Sequence, residues 1–150
     1  MFDAESNCEE ARTHPVIAAF AKLVKDTVGD GVLDFEHLKT PPFMSYWAHL
    51  AIHRFEDEIG DFRAIMWGSH IVQMFGKDCT GMTLPEIGYG PREETVRQIN
   101  LMVMNERKTI YKSGDFYWQD QEFKKWVQIK MPLMRNGEVR EVLFCQDFIK

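Results

Sequence analysis

Cysteine is scarce and badly spaced for cross-linking: Cys8, Cys79 and Cys145 are the three in the chain. No CxxC or CxxxC pair occurs, which argues against a closed zinc site or a disulfide framework and fits a reducing compartment. Basic residues are in deficit, 18 Lys and Arg against 23 Asp and Glu, for a formal net charge of -5. A general nucleic-acid binder carries a basic stripe, and anionic lipid attracts positive charge, so neither nucleic acid nor membrane is expected as a partner. No stretch approaches the roughly 20 apolar residues of a membrane span. The acidic start, Met1 to Glu10, has neither the basic nor the apolar segment of a secretory signal, so the expected location is the cytoplasm. GxSxG, glycine-rich phosphate loops, kinase motifs, internal repeats and low-complexity segments are also missing. No catalytic residues are expected, and the chain is not expected to be an enzyme.

What is present is an ordinary globular composition, 45% hydrophobic and 27% charged, with a high aromatic content of 13%. At this length a chain buries roughly 70% of its unfolded surface and folds without metal or disulfide. Residues 1–13 are polar and acidic and read as a loose tail. From Pro15 to Thr27, Val16, Ile17, Phe20, Leu23 and Val24 recur at helical spacing, with Pro15 suited to the first turn. Asp34 to Lys39 reads as one further helical turn. Met44 to Phe55 and Phe62 to Trp67 read as strands joined by a short turn. Ser69 to Phe75 reads as a short helix, Leu84 to Ile87 as one turn, and Pro91 to Arg107 as a longer helix with Glu93 and Glu94 in its first turn. Thr109 to Tyr111 and Phe116 to Trp118 read as one strand broken by a bulge at Ser113-Gly114-Asp115. In the next strand Phe123, Val127, Ile129, Met131 and Leu133 share one face, while Lys124, Trp126, Gln128 and Lys130 share the other. Asn136-Gly137 is a two-residue hairpin signal leading into Val139 to Phe148.

The order predicts an α+β fold. It has a five-stranded antiparallel sheet, helices inserted between the second and third strands, and an N-terminal amphipathic helix. Three segments follow: a tail over 1–13, a helical extension over 14–40, and a sheet domain over 41–150. The topology resembles that of PAS domains. Asp61-Phe62-Arg63-Ala64-Ile65-Met66-Trp67-Gly68-Ser69 followed by Phe75-Gly76-Lys77-Asp78-Cys79-Thr80-Gly81 is similar to the "FRYRLVGT" and "GRDLTG" segments of a bacterial PAS-like family. Lys130-Met131-Pro132-Leu133 with Asn136-Gly137 resembles its later "LPL…DG" strand and turn. The likeness covers about residues 40–149. The family's N-terminal "P-S-R…I-D-P" segment has no counterpart near Gly31 to His37.

That resemblance implies a sensory or regulatory domain that holds a small apolar ligand or a signalling protein partner, commonly as a homodimer. A pocket between sheet and helices is expected to draw Leu50 and Met66 from the first two strands, and His70 and Phe75 from the short helix. The longer helix adds Ile99, Met102 and Val103, and the fourth strand adds Ile129 and Met131. A dimer contact is expected from Val16, Phe20 and Leu23 of the N-terminal helix against Trp47, Trp126 or Phe144.

The sequence assigns no particular cofactor, and haem and flavin are both disfavoured. The longer helix offers no histidine for haem. Cys79 lies out of register with the cysteine of flavin-binding photosensors, and the flanking residues differ. His49 and His53 form an HxxxH pair, but along a strand they would stand about 13 Å apart, too far for one metal ion. Two other readings stay open: a small cone-shaped α+β isomerase or dehydratase using an inward pair such as His49 with Asp147, and an interaction module with no ligand.

Overall fold

The computed structural model describes residues 7–115 and 125–149. Helix α1 (Glu9–Thr13) and helix α2 (Pro15–Val28) open the chain. The short strand β1 (Leu33–Asp34) leads into α3 (Phe35–Leu38), α4 (Pro41–Met44) and a 3-10 turn over Trp47–His49. The hairpin β2 (Leu50–Glu56) and β3 (Asp61–Trp67) comes next. The helical insertion comprises α5 (Ser69–Phe75), α6 (Leu84–Ile87), a 3-10 turn over Gly90–Arg92 and α7 (Glu93–Glu106). Strands β4 (Ile110–Asp115), β5 (Lys125–Arg135) and β6 (Glu138–Ile149) finish it.

The sheet is mixed and six-stranded, rather than five-stranded and antiparallel. Its spatial order is β1-β5-β6-β2-β3, with β4 also on β5. The additional strand is β1, which pairs parallel to the far end of β5 through Leu33 with Leu133 and Asp34 with Met134. Two residues are too few to show a two-residue period, so sequence alone could not flag it. The antiparallel strands follow the expected order, with the helices inserted between β3 and β4.

Helix α2 places Ile17 and Phe20, both fully buried, on one sheet face together with Leu38, Phe43, Leu50, Ile52, Val127, Ile129, Met131 and Leu133. Helices α5 to α7 cover the other face with Ile71, Met74, Leu84, Ile99 and Val103 above Ala51, Phe62, Trp67 and Phe144. The segment before α2 is not simply a tail. Asn7 bridges Tyr111, Ala11 is fully buried in α1, and Lys125 pairs with Glu10 at 3.1 Å.

Met44 to His49 is helical and turned, not extended, and β2 starts only at Leu50. Prolines 41 and 42 set that local path, since proline at the first helical positions favours a turn of helix. Strand β4 runs from Ile110 to Asp115 in unbroken register with β5, without the expected bulge. Gly114 serves a neighbour instead: a Cβ there would lie 2.3 Å from Trp126 Cζ2. Phe116 to Trp118, Phe123 and Lys124 lie outside the described residues. At the last hairpin Asn136 and Gly137 take φ of 53° and 79°, as a type I′ turn requires. Among the described residues no helix is long and apolar enough to cross a membrane.

Candidate functional site

A cavity of about 70 Å³ lies between the insertion and the sheet. One water needs only ~10–15 Å³ by this kind of measure, so the space admits a group of a few heavy atoms. Strand pairing sets its floor. Lys112 of β4, Gln128 of β5 and Gln146 of β6 stand side by side, and Lys130 stands beside Phe144. Trp67 and Trp126 wall it from the sheet, and Ile71, Met74, Phe75, Val96 and Ile99 roof it from α5 and α7. Tyr89 and Arg92 also line it, with the Arg92 guanidinium 5.0 Å from the centre of the Trp126 ring.

Beneath this apolar wall runs a buried polar chain. Lys130 Nζ donates to Asn100 Oδ1 at 2.7 Å, and Asn100 Nδ2 stands 3.3 Å from His53 Nδ1. Trp67 Nε1 donates to His53 Nε2 at 3.1 Å. His53 and Asn100 are fully buried, and Lys130 is 5% exposed. An indole N–H can only donate, and a neutral imidazole has a single lone-pair nitrogen. With Nε2 taken by Trp67, the His53 proton sits on Nδ1 and opposes the Asn100 amide N–H. Turning the Asn100 carboxamide over removes that opposition. Its NH₂ then needs an acceptor at Lys130, which only the uncharged amine supplies. The chain is fully satisfied in one protonation state of Lys130 and one contact short in the other. Burial, followed by the charges of Lys112 and Arg92, pushes the Lys130 amine down to about 7. Burial, followed by the Lys130 charge, holds the His53 imidazole near 3.

The expected pocket residues divide between the two sheet faces. Phe75 and Ile99 line the cavity, and Val103 and Met102 pack in the core beside it. Leu50, Ile129 and Met131 lie on the opposite face, and Met66 packs against that face too. The expected dimer residues divide as well, which corrects their assignment to one interface. Trp126 and Phe144 line the cavity, on the face away from α2. Phe20 is fully buried within the chain, edge-on to Phe43 and Tyr46 at 6.0 and 5.2 Å. Val16 and Leu23 are partly buried in the same core. Trp47 remains 39% exposed, its indole N–H donating to Leu38 O at 2.7 Å. Alternation along β5 correctly separates Trp126, Gln128 and Lys130 from Val127, Ile129 and Met131, but it does not say which set the insertion covers.

The residues that sequence reasoning missed are Lys130, Lys112, Asn100 and His53. Lys112 in β4, with Gln128 and Lys130 alternating in β5, reads as a solvated face. His53 was considered only as half of an HxxxH pair. His49 is not in the strand with His53: it ends the 3-10 turn before β2, and His53 lies in the polar chain. His70 also turns away from the cavity, its Nε2 2.8 Å from Asp147 Oδ1. The pair His49 and Asp147 is therefore half-buried at the sheet's end, rather than inward in a deep cavity. Cys79 is buried in a turn whose Asp78 carboxylate accepts from Thr80 N at 3.0 Å and Thr80 Oγ1 at 2.7 Å. Burial pushes its thiol pKa up, which disfavours the reactive thiolate.

This arrangement, a mixed and mostly antiparallel sheet with helices folded over one face around a cavity, is consistent with the PAS fold. The PAS domain of BvgS from Bordetella pertussis superposes with a TM-score of 0.51 at 16% identity, covering 67% of this chain and 76% of that one. A sensory box sensor histidine kinase from Vibrio cholerae gives a TM-score of 0.51 at 12% identity, covering 89% and 95%. No protein-family model and no curated protein matches the sequence.

Proposed function

We propose that this chain is a sensory module of PAS type whose cavity takes a small ligand with an apolar body and an anionic group, a short carboxylate being the simplest case. The observation that carries the reading is Lys130. Its amine is buried at the cavity floor, and no Asp or Glu occurs among the described lining residues. A buried ammonium without an ionic partner is costly, and a ligand carboxylate offsets that cost with a charge-assisted hydrogen bond. Arg92 and Lys112 add positive potential from the same walls.

The signal follows from proton count. An anion at Lys130 favours the ammonium, and the ammonium fixes the Asn100 carboxamide with its oxygen toward Lys130. Without the anion the neutral amine favours the opposite orientation, with Asn100 accepting from His53. The chain links α7, through Asn100, to β2 and β3, through His53 and Trp67, so a charge in the cavity alters contacts between insertion and sheet. PAS domains of sensor kinases supply the fold-level precedent for a signalling role.

A thermal-shift screen of short aliphatic and aromatic carboxylates at pH 6.5, followed by calorimetric titration, tests the reading. At least one carboxylate should raise Tm in a concentration-dependent way in the native protein and lose that effect in Lys130→Met. Equal response of the two proteins, or no carboxylate acting beyond chloride at matched ionic strength, would refute it.

A further inference from the structure

Strand β6 runs beyond its partner β2. Their pairing ends at Cys145 with Leu50, while β6 continues to Ile149. Around this overhang three elements bring imidazoles to one carboxylate. His49 ends the 3-10 turn before β2, His70 lies in the first turn of α5, and Asp147 projects from β6. One ligand atom from each of the three lies within 4.8 Å of the others. The His49 and His70 rings are 4.3 Å apart between centres. The surroundings hold these side chains in place. His49 Nδ1 donates to Gln146 O at 3.1 Å, which leaves the Nε2 lone pair available. His70 stacks on Phe148 at 4.7 Å, and Phe148 N donates to Asp147 Oδ1 at 2.8 Å.

A fourth group completes the surroundings without joining the donor set. Val16 N donates to His14 Nδ1 at 3.3 Å, capping α2. The neutral His14 ring therefore carries its proton on Nε2, which stands 3.8 Å from Asp147 Oδ2. At that distance the ring N–H is an electrostatic neighbour of the carboxylate and not a hydrogen-bond donor to it.

From this geometry we infer that His49, His70 and Asp147 form a binding site for a divalent transition-metal ion of borderline softness, typified by Zn(II). Two imidazoles and one carboxylate suit such an ion and leave a position open for water or an external ligand. Binding requires the His70 Nε2 lone pair, so the ring proton directed at Asp147 moves to Nδ1. The ion would fasten the turn before β2, the start of α5 and the end of β6 together. It lies apart from the cavity, and the inference does not depend on what the cavity binds.

The test is calorimetric titration of the untagged, chelator-stripped full chain with Zn(II). One ion per chain should bind more tightly than about 10 µM. His49→Ala, His70→Ala and Asp147→Asn should each weaken binding at least tenfold. Cys8→Ser should bind as the native chain does, and circular dichroism should show the same fold throughout. Failure of the native chain to bind Zn(II), Co(II) or Ni(II) at this level would overturn the site, leaving a hydrogen-bonded cluster only. So would binding that Cys8→Ser abolishes and the His and Asp variants retain.

Discussion

The two faces of the sheet are built from the same strands but solve different problems. Under α2 the buried layer is apolar over Leu50, Ile52, Val127, Ile129, Met131, Leu133 and Leu143, and the one buried charge that shares this face among the described residues, Glu141, is paired with Arg135 at 2.8 Å and Arg54 at 3.4 Å. Under the insertion, the same strands present His53, Lys112, Gln128 and Lys130 at 7% exposure or less. A dry layer adds stability through area and packing. A buried polar layer sacrifices some of that and gains specificity for what enters it. The contrast separates an apolar structural face from a polar face that lines the cavity.

The largest effect should come from the dry face. Phe20→Ala removes a fully buried ring that touches Phe43 and Tyr46, and should cost about 3–5 kcal/mol in urea unfolding. A loss under 1 kcal/mol would mean that α2 is not part of the folding unit.

Lys130 sharpens the other side. Its folded pKa of about 7 lies below the ordinary 10.5, so between these values the unfolded chain binds the extra proton. Stability should therefore rise as pH increases from about 7 toward 10.5 and be flat with respect to this group below 7, by an amount of order a few kcal/mol. Lys130→Met should be more stable than the native chain at pH 6 and should lack that rise. His53, held near 3 against 6.5, acts in a lower window. Stability should fall as pH drops from 6.5 toward 3, because the unfolded imidazole takes up a proton that the folded one refuses. A flat profile across that window in His53→Phe, beside a sloping native profile, would assign the effect to this residue.

Smaller effects mark where the faces are tight. Gly114→Ala places a methyl where the Trp126 ring lies. It should cost roughly 1–3 kcal/mol, the usual penalty of overpacking, with a red-shifted tryptophan emission as the indole leaves its site. Trp47→Ala, at an exposed position with one hydrogen bond to Leu38 O, should cost about 1 kcal/mol. A greater loss would show that the α4 turn supports the dry face.

Much of the architecture was readable because local chemistry dictated it. Pro15, Gly76 and Asn136-Gly137 mark boundaries through φ alone, and α2 and α7 carry apolar residues at helical spacing. The insertion after the second antiparallel strand, and the motif over residues 61–81, pointed to the PAS fold. Alternation in β5 sorted its side chains into two sets correctly. The pocket list failed at Leu50, Met66, Ile129 and Met131, because apolar residues were presumed to face the cavity and charged ones the solvent. The buried lysines invert that rule.

By itself the sequence determined the main helices, the core of each antiparallel strand, the Asn136-Gly137 turn and which side chains of β5 share a face, since these depend on backbone preference and on periods of 3.6 and 2. Tertiary structure alone decided which helix covers which face, that Lys130, Asn100, His53 and Trp67 join in one chain, and that His49, His70 and Asp147 meet at the end of β6. Those contacts link residues up to about a hundred positions apart, and no local pattern encodes a meeting that depends on how three separate elements pack.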